Sequence, residues 1–561
     1  MLEEFTYRPL VAYFSMEIAL QNEIPTYAGG LGVLAGDTMR SSSDLALPII
    51  GVTLVSLAGY FRQAIDEAGR QVEHPDWWRP EDHAVPLEAR VAIPMEGREV
   101  WIRGWLYVLE GHMGGRTPIV LLDTDVGENR EDDRQITHYL YGGDEVYRLK
   151  QEMVLGIGGA RMLQALGVTV LQYHLNEGHS ALLTLELLRR YAHPRAHLRT
   201  GEARYDVPRV RELCNFTTHT PVEAGHDQFS YDLVQRLLGT YFDLVTLKSL
   251  AGQERLNMTR LALNLSLYIN GVAKRHTETS RVMFPGYEVR SVTNGVHPFA
   301  WTGPSFVQLY DTHFPGWCHE PDLLVRADRL SDAAVWSAHS AEKEGLLKMV
   351  KERSGVDLDP AVATLGFARR MTGYKRPDLL FSDLERLKHI AQQTPLQIVL
   401  AGKAHPRDEG GKGLIERLHR HVRELPSIRI AYLPNYDMTI ARVLVAGVDV
   451  WLNTPLPPME ASGTSGMKAS FNGVPNLSVL DGWWAEGYIE GVTGWAIGEL
   501  GKAPEADAES LYQKLEQVVL PLYYSNRSGW IAVMKGAISR NASFFNSHRM
   551  MRRYTTEAYV Q

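Results

Sequence analysis

The sequence predicts an α/β protein built from two doubly wound units, and three observations carry that prediction. The chain has 561 residues, more than one hydrophobic core accommodates, so two or three domains are expected. Short apolar runs rich in β-branched residues alternate with helical patterns through most of its length, which is how parallel sheets covered on both faces read in sequence. A turn-rich stretch without helical period, SVTNGVHPFAWTGPS at 291–305, separates two sets of such runs and reads as the interdomain crossing.

The first set contains LPIIGVTLV (47–55), PIVLLD (118–123), VTVLQYHL (168–175) and LCNFTTH (213–219). Ahead of them, YAGGLGVLAGD (27–37) is a glycine-rich turn leading into a helix; it either offers backbone N–H groups to an anion or lets helix and strand pack closely. In the second set, VATLGFA (362–368), LQIVLAG (396–402), IRIAYL (428–433), VDVWLN (448–453) and NLSVL (476–480) are followed by helix candidates such as RPDLLFSDLERLKHIAQQ and DMTIARVLVAG. The closing SGWIAVMKGAISRNASFFNSHRMMRRY reads as helix, with the basic HRMMRRY as its solvated face. Ligands of open α/β sheets sit beyond the carboxyl ends of the strands, so two such units facing each other enclose a cleft, and functional motifs should lie just after strands.

Composition narrows the function. The chain is 45% hydrophobic and 22% charged with a net charge of −8, and its Lys and Arg are dispersed, which argues against a nucleic-acid binder. The N-terminus begins acidic without the basic region and apolar core of a secretory signal, and no segment approaches the ~20 apolar residues that span a bilayer. Two cysteines, Cys214 and Cys318, fit a reducing compartment, and the expected location is the cytoplasm.

Three motifs carry chemistry. FARRMTGYKRPD (367–378) follows a strand and sets Arg369, Arg370, Lys375 and Arg376 within eight residues, an arrangement suited to a phosphate dianion. Its alternative, a solvated helix start, sets positive charge against the helix macrodipole. EASGTSGMKASFNGV (460–474) supplies Glu460, three hydroxyls, two glycines and then Lys468 at a helix start. That lysine is either a surface cation or an amine desolvated enough to condense with an aldehyde cofactor. FTTHTPVEAGHDQF (216–229) carries His219, Glu223, His226 and Asp227 after a strand, where they line the cleft or hold a loop. His174 and His179 are spaced unlike metal ligands, and no metal site is expected.

Taken together the motifs resemble the α-glucan (glycogen, starch, maltodextrin) phosphorylases. The resemblance runs in the family's order through YFSMEIALQNEIPTYAGGLGVLAGD, YRLKQE, HLNEGHSALL, FTTHTPVEAGHD, NGVAKRHTE, VTNGVHPFAW, RRMTGYKR and EASGTSGMKASFNGV. It implies a GT-B fold: two Rossmann-like doubly wound domains, residues 1–298 and 299–528, facing across a cleft, with a C-terminal helix over 529–561 crossing back. By the same resemblance Lys468 carries pyridoxal 5′-phosphate, and Arg369, Thr464, Ser465 and Gly466 surround the cofactor phosphate. Arg370 and Lys375 match positions that bind the substrate phosphate, helped by the N–H of Gly30. Glu460, Ser462, Gly463, His276 and Asn294 match positions that hold the transferred glucose, with Tyr374 and Tyr436 alongside. The reaction implied is phosphorolysis of α-1,4-glucan ends by inorganic phosphate to glucose 1-phosphate, with retention, the cofactor phosphate serving as proton partner.

The chain departs from the best-known members in reading GTSGMK for GTGNMK and in having Thr372 and Gly373 where they have histidine and glutamate, which points to a short bacterial-type branch. It begins almost at the first motif, so phosphorylation and nucleotide control through an N-terminal extension are not expected, while homo-oligomer formation stays open. Two rival readings are a GT-B synthase using a nucleotide sugar, against which Lys468 speaks, and a non-catalytic glucan-binding protein, against which the intact Lys468, Arg370, Lys375 and Glu460 speak. LDGWWAEGYIEGVTGW (480–495) is distinctive; two adjacent tryptophans point different ways, so at least one is expected in the core.

Overall fold

Both sets of apolar runs pair into sheets. The structure, a computed structural model, describes residues 3–6, 8–194, 198–199, 202–222, 225–499 and 504–560. The first sheet has nine strands in the order Arg290–Ser291, Tyr268–Gly271, Cys214–Thr217, Val170–Asn176, Leu10–Ser15, Ile49–Leu54, Arg116–Asp123, Arg98–Glu110 and Val85–Met95. Neighbors are parallel as far as Arg116–Asp123, after which the last two strands run antiparallel. This antiparallel edge is absent from the sequence reading for a physical reason: Val85–Met95 is half-exposed along much of its length and carries no continuous apolar run.

The second sheet has six strands, all parallel, in the order Ile430–Leu433, Leu396–Ala401, Ala363–Ala368, Val450–Asn453, Asn476–Val479 and Gly494–Ile497. Strand alternation divides the core on each sheet: Leu10, Ala12 and Phe14 face one apolar cluster, Val11 and Tyr13 another. Likewise Ile398 and Leu400 separate from Val399 and Ala401.

Helices start where side chains can take their free N–H groups. Asp437 accepts from Ile440 N at the head of Met438–Gly447, as the motif DMTIARVLVAG suggested. The stretch RPDLLFSDLERLKHIAQQ is shorter in helix than its pattern suggests: Leu379–Phe381 is a 3₁₀ turn, and the helix Leu384–Gln393 begins after Asp383, which accepts from Arg386 N.

The C-terminal stretch corrects the sequence reading. It forms two helices, Arg527–Gly536 and Ser547–Tyr554, with a break whose Asn546 side chain accepts from Arg549 N. HRMMRRY is not a solvated face: His548, Met550, Met551 and Tyr554 are buried against the first sheet's side of the molecule. Tyr559 Oη bonds His174 Nδ1 at 2.7 Å, and Asn270 Nδ2 donates to Tyr554 Oη at 3.0 Å. Both Trp483 and Trp484 lie in the core. No helix among the described residues is long and apolar enough to cross a membrane.

Candidate active site

The glycine-rich turn forms the head of the helix Gly30–Asp44, whose N-cap, Gly29, has no side-chain bond. Its glycines divide by task. A Cβ on Gly36 would meet Ala19 O at 2.1 Å, so Gly36 permits close packing, whereas around Gly29 and Gly30 nothing lies within 4 Å of an added Cβ. The helix therefore packs tightly along its body and presents a helix head to open space, where orphan N–H groups and the dipole favor an anion. Glu17 Oε2 fixes the approach by accepting from Ala28 N at 2.6 Å and Gly29 N at 3.1 Å.

At the carboxyl end of Ala363–Ala368, Arg369 Nη2 donates to Glu460 Oε1 at 2.9 Å, and Lys375 Nζ donates to Glu460 Oε2. All three are buried. Burial alone would raise the Glu460 carboxyl, but the Arg369 and Lys375 charges outweigh it and hold it at about 2, so Glu460 is ionized at any working pH. Arg370, the next residue, is exposed and forms no ion pair among the described residues; its Nη2 donates to Tyr374 Oη at 3.4 Å. Burial would raise the Tyr374 phenol, yet Lys375 and Arg370 bring it below its usual value. Tyr436 is half-buried and close enough to Arg369 to feel its charge.

Lys468 lies on the short helix Ser465–Ser470, after the strand Val450–Asn453 and a long loop. It is buried, its Nζ sits 3.7 Å from the ring centroid of Trp301, and it makes no hydrogen bond or ion pair among the described residues. Burial pulls its amine down to about 8, with Arg40 and Arg442 adding to the effect and Asp37 opposing it. Asp37 in turn accepts from Trp301 Nε1 at 2.8 Å, which ties the glycine-led helix to the lysine's aromatic floor. Around Lys468, Ser465 Oγ accepts from Trp451 Nε1 at 3.1 Å, and a Cβ on Gly466 would meet Asn476 Oδ1 at 2.2 Å. Thr464 makes no capping bond, so the first-turn N–H groups of this helix have no side-chain acceptor. Ser462 Oγ is buried without a partner, and Gly463 takes a φ of +76° beside Glu460.

His276 and Asn294 come from the first sheet's side. His276 Nδ1 accepts from Val272 N at 3.2 Å, so the proton sits on Nε2, and burial lowers the ring to about 4, leaving it a neutral donor. Asn294 N donates to Val272 O at 2.9 Å, while Asn294 Oδ1 is buried and unpartnered. Of the loop histidines, His219 lies near His276 and bonds Asn176 Oδ1 through Nε2 at 2.7 Å. His226 Nδ1 meets Thr259 Oγ1 at 2.8 Å and Asp227 pairs with Arg148 at 2.9 Å, which is loop-holding chemistry; Glu223 lies outside the described residues.

One group of side chains among the described residues has metal-ligand spacing, Asp44, His297 and His548. His297 Nδ1 accepts from Ala300 N at 3.1 Å, so its Nε2 bears the proton directed at Asp44 Oδ2, 2.8 Å away, and is not free to ligate.

The sequence reading includes His219 among loop residues that line the cleft or hold a loop, but does not single out Trp301, Glu17 or the carboxylates of Asp481–Glu486. Trp301 and Glu17 stand inside the resemblance motifs, so position after a strand is a usable signal. In Asp481–Glu486 the tryptophan pair masks the two carboxylates beside it.

Comparison with known proteins places the chain in one family. A carbohydrate phosphorylase family model matches residues 243–489, a span that includes His276, Asn294, Arg369, Arg370, Lys375, Glu460 and Lys468. The chain is 39% identical to a maltodextrin phosphorylase of Thermococcus litoralis, over 98% of this chain and 70% of the relative. It is 37% identical to a glycogen phosphorylase of Aquifex aeolicus, over 99% and 87%, and 36% identical to a glycogen phosphorylase of Mycobacterium tuberculosis, over 98% and 70%. With likeness of that degree along nearly its whole length, the chain belongs to the carbohydrate phosphorylase family.

Proposed function

We propose that this protein is an α-1,4-glucan phosphorylase, a glycosyltransferase that releases glucose 1-phosphate from the non-reducing ends of glycogen, starch or maltodextrin with retention, and that Lys468 carries pyridoxal 5′-phosphate. The observation that carries this reading is the Lys468 amine: buried, without a counter-ion, and held near a pKa of about 8. A lysine so placed is costly as a structural cation and well suited to covalent capture of an aldehyde near neutral pH. The residues present fit the cofactor, since open N–H groups and the hydroxyls of Thr464 and Ser465 stand at the head of the lysine's own helix.

On this reading the GT-B arrangement applies, with domains at 1–298 and 299–528, the residues 529–561 returning to the first domain, and the substrates meeting in the cleft between. Support comes from the two sheets, whose strands fall within residues 10–291 and 363–497. The two cysteines are free and buried, which suits a cytoplasmic protein.

Bound pyridoxal phosphate supplies a phosphate group that can share a proton with inorganic phosphate. The chain's own residues do the rest. Arg370, which forms no ion pair among the described residues, and Lys375 bind inorganic phosphate, with the helix head at Gly30 adding N–H donors. Arg369 would help hold the cofactor phosphate, so that cations offset two dianions that would otherwise repel. Glu460, ionized, accepts from glucose hydroxyls together with Ser462 and the backbone at Gly463, while neutral His276 donates through Nε2 and Asn294 offers its unpartnered carbonyl. Tyr374 and Tyr436 wall the site against water. Glu460, committed to two cations, is not free to serve in an acid and base pair of carboxylates.

The test is a product assay on maltooligosaccharides with and without inorganic phosphate. The reading expects glucose 1-phosphate, formed only when phosphate is present. Hydrolysis to free sugar, or glucosyl transfer that requires a nucleotide sugar, would overturn it.

A further inference from the structure

The residues expected to hold glucose come from two different sheets, and no hydrogen bond joins His276 or Asn294 to Glu460 or Ser462 directly. One short segment bonds Glu460 and Ser462 directly and holds Lys274 and Thr293, chain neighbors of His276 and Asn294. Asp481 Oδ2 accepts from the backbone N–H of Glu460 at 2.8 Å, and Trp483 N donates to Ser462 O at 2.9 Å. Between them Gly482 has a φ of +53°, and a Cβ there would strike Ser462 O at 2.4 Å, so only glycine allows this turn to lie so close. On its other side, Glu486 Oε1 accepts from Lys274 N at 2.9 Å, and Thr293 Oγ1 donates to Glu486 Oε2, also at 2.9 Å.

Those two contacts address the other half of the site. Lys274 is the first residue of the helix Lys274–Met283 that bears His276, and its own N-cap, Ala273, provides no side-chain bond. Glu486 therefore caps that helix from across the molecule, where a carboxylate also complements the helix dipole. Thr293 immediately precedes Asn294. The same residue pair is gripped from behind by Arg549, whose Nη2 donates to Thr293 O at 2.7 Å and Asn294 O at 3.0 Å. Trp483 and Trp484 sink into the core and leave the carboxylates at either end of the segment no freedom to drift.

We propose that Asp481–Glu486 is the positioning element that sets Glu460 and Ser462 of one sheet in register with His276 and Asn294 of the other, with Asp481 and Glu486 as its positioning residues and Arg549 as the backstop. The inference rests on the functional reading above, since it presumes that these four residues bind glucose. Neither carboxylate touches substrate; each acts through the backbone or hydroxyl it holds. The element explains why a tryptophan pair is flanked by an aspartate and a glutamate in DGWWAE: the rings anchor and the acids align.

The experiment compares Glu486→Ala, Glu486→Gln and Asp481→Asn holoenzymes with the parent, reading kcat, KM for phosphate, cofactor absorbance and thermal midpoint. Glu486→Ala should lower kcat about 100-fold, the scale expected when reacting groups shift by about an ångström, with KM for phosphate and cofactor content unchanged. Glu486→Gln, which keeps an acceptor for Lys274 N and can turn its amide toward the Thr293 hydroxyl, should recover most of that loss, whereas Asp481→Asn should lower kcat by itself, because both Asp481 oxygens accept backbone N–H groups, of Glu460 and Gly482, and an amide can serve only one. Full kcat in Glu486→Ala, or losses that track cofactor content and thermal midpoint without rescue by Gln, would overturn the proposal. If Glu486→Ala does not fold, Asp481→Asn decides alone: an unchanged kcat refutes. A parent protein that makes no glucose 1-phosphate would instead sink the functional reading, so the two failures are distinguishable.

Discussion

Two buried lysines, each beyond the carboxyl end of a strand in the same sheet, live under opposite rules. Lys375 is bonded to Glu460, which also takes Arg369; Lys468 lies over the Trp301 ring and forms no ion pair among the described residues. Burial pulls both amines down; at Lys375 Arg369 adds to the shift and Glu460 opposes it, whereas at Lys468 the amine reaches about 8 and can shed its proton near neutrality. On the proposed function, that difference would separate a cation that binds phosphate from an amine that captures the cofactor.

The sharpest way to break that contrast is Lys468→Ala, which should cost more than about 1000-fold in activity and abolish cofactor absorbance, as expected when the group that supplies covalent chemistry is lost. Glu460→Gln probes the paired side. It leaves two buried cations without their anion, which should cost about 3–5 kcal/mol of stability in urea unfolding. Its pH counterpart follows in sign: the folded carboxyl, at about 2, lies below its ordinary value, so the stability it contributes is present above about pH 4.5 and lost as pH falls through about 2.

On the unpaired side the sign reverses. In cofactor-free protein at pH 7, Lys468→Met should stabilize by up to about 3 kcal/mol, because a buried charge without a partner is removed. The parent's folded amine, at about 8, releases its proton before the unfolded one, so the unfolded state binds more protons between about pH 8 and pH 10.5 and the cofactor-free parent gains stability across that window. Thermal unfolding across pH, with Lys468→Met as a flat reference, measures it. Arg370→Ala should be the mildest of the set, raising KM for phosphate by about 100-fold while glucan binding, read by equilibrium dialysis, stays near parent.

Much of this site was legible in the sequence because its chemistry is local. Arg369, Arg370 and Lys375 fall within one post-strand loop, and Glu460 through Lys468 within another, so charge, glycine and position after a strand were enough to find them. What the sequence hid is non-local. That Glu460 would bind both Arg369 and Lys375 depends on two loops about ninety residues apart meeting, and the capping of the His276 helix by Glu486 depends on two sheets meeting. The antiparallel edge Val85–Met95 escaped for lack of an apolar run, and Arg549 was mistaken for surface because a basic helix end reads the same whether its guanidinium meets water or backbone carbonyls.

The most direct measurement of the central claim is borohydride reduction of the purified protein followed by peptide mapping. The account predicts one pyridoxyl group, on the peptide carrying Lys468, with Lys375 unmodified. A protein that carries no such group, or carries it on another lysine, would contradict it.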